Sequence, residues 1–147
     1  MSPLLSGNAV TSYGAPFYWN GGSWINDDSD VGLAATMYIN ASLVIGAPVT
    51  SSGVNLVTLS NATVAAALTL NSVWTHATSS LELVTGGSVS GSGGINVTGG
   101  VVRKIGAGST SLVSMPVSIV SGASLEIVSG TLQFSVSYAL MPLPSLT

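Results

Sequence analysis

The sequence predicts an all-β chain wound as a parallel β-helix, or β-solenoid. Two segments contain a similar motif, SSLELVTGGSVS from Ser79 and ASLEIVSGTLQF from Ala123. The equivalent residues Leu81 and Leu125 are 44 positions apart. A repeat of this length is typical of two solenoid coils rather than of two globular domains. Further short runs, from Gly93 and from Ser109, alternate apolar with polar residues and are bounded by glycine or proline. Such alternation indicates β-strands.

Composition narrows the function classes. Of 147 residues, five are acidic, two (Arg103 and Lys104) are basic and 46% are hydrophobic. Two basic residues make no patch that neutralises a phosphate backbone, so neither nucleic-acid binding nor docking on anionic membranes is expected. Ser, Thr and Asn interrupt the apolar stretches, so no transmembrane helix or membrane insertion is predicted. The absence of cysteine excludes disulfides and thiolate metal sites.

The length fits one domain, which the sequence divides into three segments. Residues 1–18 are rich in Ser, Gly and Pro without a period, and we expect an irregular N-terminal arm there. Residues 19–136 are assigned to the solenoid with a Trp-rich N-terminal cap, and residues 137–147 to an apolar, Pro-containing C-terminal tail. The first ten residues have neither a basic region nor a long apolar core, so they do not predict a signal peptide.

Two tryptophans open the solenoid segment. Trp19 and Trp24 flank an Asn-Gly-Gly turn and are expected to cover the end of the first coil, because an open coil end exposes both core and strand edge. Asp27, Asp28 and Asp30 follow, and this cluster fits either a solvated turn or a Ca²⁺ site, since carboxylates at this spacing can converge on a hard cation. No calcium-binding repeat supports the second interpretation, so no metal or cofactor is assigned.

Residues 33–74 predict strands. The runs TMYIN, SLVIG, VNLVTL and VAAALTLNSVW alternate at a period near two. AAALTL has helical propensity, but Asn61 and Asn71 flank this run and limit it to the length of a strand. The single histidine, His76, has no nucleophile or orienting acid nearby in sequence, so we expect a structural residue at or partly below the surface.

Glu82 and Glu126 occupy the same phase of the repeat, so alternation places both side chains on the outer face. If the offset is two coils of about 22 residues, a rung spacing of about 4.8 Å separates the carboxyls by about 10 Å. A glycosidase pair can have this spacing, but the repeat already accounts for both glutamates and nothing predicts a cleft, so no catalytic residue is assigned. The glycines between positions 86 and 100 are interpreted as coil corners with positive φ.

Arg103 and Lys104 are adjacent in a predicted strand and therefore point to opposite faces. We expect one of them to pair with a glutamate on a neighbouring coil.

The C-terminal tail leaves the repeat. Its apolar residues are interspersed with prolines, which predicts an extended segment that either caps its own coil or docks on another subunit. The candidate assembly residues are Trp19, Trp24, Tyr138, Leu140, Met141, Leu143 and Leu146.

Three sequons, at Asn40, Asn61 and Asn96, are candidate N-glycosylation sites. Covalent glycans would supply the hydration that charged side chains supply elsewhere, and they require these asparagines to face outward.

Two stretches of the sequence resemble repeats of secreted or surface-displayed parallel β-helix proteins, including autotransporter-passenger-like and adhesin-like chains. The stretches are WNGGSWIND and VTGGSVSGSGGINVTGGVVRKIGAGSTSLVSMPVSIVSGASLEIVSGTLQF. The resemblance covers residues 19–134 and implies a right-handed parallel β-helix with a structural or adhesive role outside the cell or on its surface. This chain departs from the pattern in its short length and its apolar tail. That departure favours end-to-end association of small units over one long stalk.

These observations predict a structural, non-enzymatic subunit of an extracellular filament, appendage or surface coat, with copies of itself as partners. An adhesin or carbohydrate-binding module is the alternative. A polysaccharide-acting enzyme is the third possibility, because such enzymes share this architecture.

Overall fold

The structure is a computed structural model. It describes the backbone of residues 4–5, 8–11, 17–21, 23–26, 35–135, 138–141 and 145–146, and the side chains of residues 20–21 and 36–135. Within these ranges the chain contains strands, turns and bends but no helix, and therefore no helix long and apolar enough to cross a membrane.

The strands of the described residues follow one another with short connections. The first seven are β1 (Leu4–Leu5), β2 (Asn8–Thr11), β3 (Phe17–Trp19), β4 (Ser23–Asn26), β5 (Ala35–Ile39), β6 (Leu43–Ile45) and β7 (Val49–Ser52). The next seven are β8 (Val54–Thr58), β9 (Ala62–Val64), β10 (Ala67–Asn71), β11 (Val73–His76), β12 (Ser80–Leu83), β13 (Ser88–Ser90) and β14 (Gly94–Val97). The last seven are β15 (Val101–Lys104), β16 (Thr110–Ser114), β17 (Val117–Val120), β18 (Ser124–Ile127), β19 (Thr131–Phe134), β20 (Tyr138–Met141) and β21 (Ser145–Leu146).

Every third strand belongs to the same parallel sheet. Sheet 1 runs β1-β4-β7-β10-β13-β16-β19, sheet 2 runs β2-β5-β8-β11-β14-β17-β20, and sheet 3 runs β3-β6-β9-β12-β15-β18-β21. Three successive strands therefore make one coil, and each coil stacks on the one before it. The predicted parallel β-solenoid is confirmed, and its strands also include β1 and β2 in residues 1–18 and β20 and β21 in residues 137–147.

The core lies inside the three sheets and is built from in-register columns. On sheet 3 one such column joins Leu43, Ala62, Leu81, Val102 and Leu125, all of them buried. Alternate residues of each strand point inward, which explains the period of two in the sequence. Burying one such leucine stabilises the fold by about 1.5–3 kcal/mol relative to leaving it exposed.

The alternation resolves the ambiguity around AAALTL in favour of strand, as predicted. Its last four residues lie in β10, where Leu68 and Leu70 are completely buried. Asn61 immediately precedes β9, and Asn71 is the last residue of β10.

Candidate functional site

The outer face of sheet 3 carries a stack of charges. The strand register aligns Glu82 of β12 with Arg103 of β15, and Arg103 with Glu126 of β18. Arg103 Nε donates to Glu126 Oε2 at 2.5 Å and Arg103 Nη1 donates to Glu82 Oε1 at 3.3 Å. The hydrogen bond that Arg103 donates to Glu126 is the main cause that raises the pKa of Arg103. The predicted pairing across coils is confirmed, and the two glutamates are two coils apart.

This stack does not have the form of a glycosidase pair. A pair of catalytic carboxylates requires a sugar between the two groups. Here the Arg103 guanidinium lies between Glu82 and Glu126 and binds both. All three side chains are about one-third exposed or less, with 33% for Arg103 and 26% for Glu82. The three side chains link three neighbouring coils and favour their register. Because they are partly exposed, their ion pairs add little to the free energy of unfolding.

A second polar cluster lies inside the solenoid around His76 of β11. Trp74 Nε1 donates to Thr58 Oγ1 at 2.9 Å, and Thr58 Oγ1 lies 2.8 Å from His76 Nδ1. Because the Thr58 oxygen accepts from the indole, its own hydrogen is available for His76 Nδ1. The other ring nitrogen, Nε2, then carries the hydrogen and donates to the Ser79 carbonyl at 3.3 Å. In this arrangement Nδ1 accepts and the ring is neutral, which is the form that burial favours.

His76 is 0% exposed. The sequence analysis expected it at or partly below the surface, so its complete burial was not predicted. Burial lowers the pKa of His76 below 6.5, and the hydrogen bond to Ser79 offsets only part of that effect. Ser79 has φ +66°, a left-handed conformation rare outside glycine, and its carbonyl also accepts from Val101 N at 2.9 Å. The cluster therefore fixes the corner that leads into β12.

The third cluster surrounds Lys104, whose side chain points inward as alternation requires. Lys104 is 0% exposed. Its Nζ donates to the Ile105 carbonyl at 3.1 Å and to Ser109 Oγ at 2.9 Å, across the corner between β15 and β16. Burial lowers the pKa of Lys104. The sequence rule of opposite faces predicted an inward side chain for one of the two basic residues, but not its polar partners.

The three sequon asparagines are all exposed. Asn40 and Asn61 follow β5 and β8 and lie at the same corner of neighbouring coils, between sheets 2 and 3. Asn96 lies within β14 on sheet 2. Asn61 Oδ1 accepts from both the backbone N and the hydroxyl of Ser80 at 3.2 Å. N-glycosylation uses the amide nitrogen and leaves this oxygen in place, so the contact is compatible with a glycan.

The candidate assembly residues that the structure describes fall on the first, second and last coils. Trp19 is in β3 and Trp24 in β4, while Tyr138, Leu140 and Met141 are in β20 and Leu146 in β21. Leu143 lies outside the described residues, as do the candidate calcium ligands Asp27, Asp28 and Asp30. Among the side chains that are described, no three His, Asp or Glu groups converge on a common point.

No protein-family model, curated protein or solved structure matches this chain.

Proposed function

We propose that this chain is a structural, non-enzymatic subunit of an extracellular filament, appendage or surface coat, related in role to secreted and surface-displayed β-helix proteins. Its partners are copies of itself, and its surface carries covalent glycans. The observation that carries the proposal is the parallel stacking of all three sheets along one axis.

The strands of the first and last coils run in the same direction along the sheets. At one end β1, β2 and β3 pair only with β4, β5 and β6 among the described strands, and at the other β19, β20 and β21 pair only with β16, β17 and β18. An edge strand offers backbone groups to a further strand. Because every pair is parallel, the last coil of one copy has the right direction to receive the first coil of the next. Such head-to-tail contacts do not close on themselves and so generate a filament.

The sides of the solenoid carry few charged side chains and three exposed sequon asparagines. Within the described residues, the charged side chains are Glu82, Arg103, Glu126 and the buried Lys104. The exposed amides of Asn40, Asn61 and Asn96 would bring glycans to sheet 2 and its border with sheet 3. Glycans at those positions would hydrate the sides while leaving the axial ends free to stack.

The test blocks the end of the solenoid without changing its coils. A small folded protein fused after Thr147 should prevent stacking, so negative-stain microscopy should show filaments for the natural chain and single particles for the fusion. The matched control inserts the same protein between Ser121 and Gly122, an exposed corner between β17 and β18 at the side of the solenoid. That insertion should leave filaments intact.

The outcome separates the proposal from the adhesin alternative. Filaments lost only in the end fusion support axial assembly. Natural chain that stays monomeric at all concentrations, or filaments that persist in the end fusion, would sink the proposal. Specific binding by the monomer on a glycan array would instead favour a carbohydrate-binding module.

A further inference from the structure

The corner between β3 and β4 begins with an asparagine that glycine follows. Asn20 comes directly after Trp19, the last residue of β3, and its side chain is exposed to water. Gly21 has φ +128°, a conformation that residues with a Cβ atom rarely adopt. A Cβ atom at Gly21 would have no atom of the described residues within 4 Å apart from its chain neighbours. The backbone next to the Asn20 amide is therefore uncrowded.

The Asn20 side chain lies against backbone of the next coil. The register of β3 with β6 pairs Trp19 with Ile45, which places Asn20 beside Gly46. A Cβ atom at Gly46 would lie 2.5 Å from Asn20 Oδ1, so glycine leaves the room that this amide occupies. With the residues that the structure describes, the Asn20 amide forms no hydrogen bond. The amide can therefore turn toward the backbone N of Gly21 without losing a partner.

Asn71 shows the opposite situation at another corner. It is also exposed, but its amide is bonded on both sides. Its Oδ1 accepts from the backbone N of Ser92 at 3.1 Å and from Ser92 Oγ at 3.3 Å, and its Nδ2 donates to Ser52 Oγ at 3.2 Å. The next residue is Ser72, which is buried. In the sequence, Asn20 is the one asparagine that precedes a glycine.

We propose that Asn20 is a site of spontaneous deamidation, with water as the co-reactant. The backbone N of Gly21 forms a bond to Asn20 Cγ, and its hydrogen passes to the side-chain nitrogen, which leaves as ammonia. The product is a five-membered succinimide ring. Water then adds to one of the two ring carbonyl carbons, the bond from that carbon to the ring nitrogen breaks, and the nitrogen recovers a hydrogen. No atom changes its oxidation state.

The reaction changes both the charge and the backbone of this corner. Opening of the ring leaves aspartate or isoaspartate at position 20, and either carboxyl is ionised at neutral pH. The formal net charge of the chain therefore goes from −3 to −4. In isoaspartate the backbone runs through the side chain and gains one carbon atom between β3 and β4. The reaction does not depend on whether the chain forms filaments.

The test incubates the full chain in H₂¹⁸O buffer and maps its peptides by mass spectrometry. One ¹⁸O atom should enter at position 20, together with an acidic form on isoelectric focusing. Because the Asn71 amide must first release its hydrogen bonds, Asn20 should react at least about tenfold faster than Asn71. The rate should rise with pH, since ring closure requires the backbone N of Gly21 to lose its hydrogen.

Two matched variants assign the acidic form to its source. Asn20→Gln keeps an exposed amide but adds a methylene, so the five-membered ring cannot form and the acidic form should not accumulate. Asn71→Gln makes the same change at the bonded amide and should leave the accumulation as it is in the natural chain. No ¹⁸O at position 20, equal rates at Asn20 and Asn71, or undiminished accumulation in Asn20→Gln would overturn the proposal.

Discussion

At the scale of single residues, His76 makes the stability of the fold depend on pH. The folded state holds His76 neutral with a pKa below 6.5, while the unfolded chain binds a proton near 6.5. Below 6.5 the unfolded state therefore binds more protons, so the free energy of unfolding falls as the pH falls. Between pH 6.5 and about 5 the loss from this one group is at most about 2 kcal/mol. Urea denaturation at the two pH values measures it.

Gln in place of His76 supplies the control, because glutamine does not titrate. The natural chain should lose more stability on acidification than His76→Gln, and the difference between the two losses is the contribution of the ring. Equal losses in both proteins would contradict the buried neutral histidine described above. Tryptophan fluorescence follows the same transition, since the indole of Trp74, one of three tryptophans, bonds to Thr58 in the same cluster.

The sequence predicts that Arg103 and Lys104 point to opposite faces and that one of them pairs with a glutamate, but it does not predict the contacts of His76 or Lys104. Alternation from Val102 places Lys104 inward and Arg103 outward, and both positions are as the structure has them. The inward position of His76 follows from Trp74 by the same rule, whereas the sequence interpretation expected His76 at or partly below the surface. The Thr58 and Ser109 partners come from other coils or corners, at separations that no local pattern encodes.

At the scale of elements, the corners between strands determine how closely coils stack. At Gly93, just before β14, a Cβ atom would lie 1.8 Å from the Ser72 carbonyl oxygen of the preceding coil. The backbone cannot yield there, because Gly93 N donates to Leu70 O and Gly94 N donates to Ser72 O. Gly93→Ala should therefore lower the free energy of unfolding by about 2 kcal/mol or more, as overpacking does. Thermal or urea denaturation checks this.

The neighbouring Gly94 gives a matched control. A Cβ atom at Gly94 would lie 3.5 Å from the Pro116 carbonyl oxygen, which is an ordinary contact, and Gly94 does not have positive φ. Gly94→Ala should change the stability by no more than about 0.5 kcal/mol. If the two alanine variants were equally stable, the close approach of coils at Gly93 would not be what requires glycine.

The sequence interpretation attributed all the glycines between positions 86 and 100 to positive φ, and this is only partly correct. Gly86, Gly91 and Gly100 have positive φ, whereas Gly93 does not. The requirement at Gly93 is space against the next coil, which depends on how two turns of the chain lie together. A pattern within one coil carries no information about that distance, although the strands themselves and their two-coil repeat could be predicted.

At the scale of the whole molecule, the solenoid is a stack of similar coils, each in contact mainly with its neighbours. Stability in such a stack is approximately a sum over coils and the interfaces between them. Ser80 is in register with Val101, so residues 80–100 form one complete coil. Removing them joins Ser79 directly to Val101 and places β15 where β12 was, with β16 and β17 following on their own sheets.

This deletion should give a shorter protein that still folds. One strand of seven leaves each sheet, so the dependence of unfolding free energy on urea should decrease by about one seventh, in proportion to the surface exposed on unfolding. Deleting only residues 80–90 is the control, because it removes β12 and β13 and brings β14 to the position of a sheet 3 strand. That half-coil deletion should not fold cooperatively. Loss of folding in the full-coil deletion, with circular dichroism as the measure, would mean that the coils are not interchangeable layers.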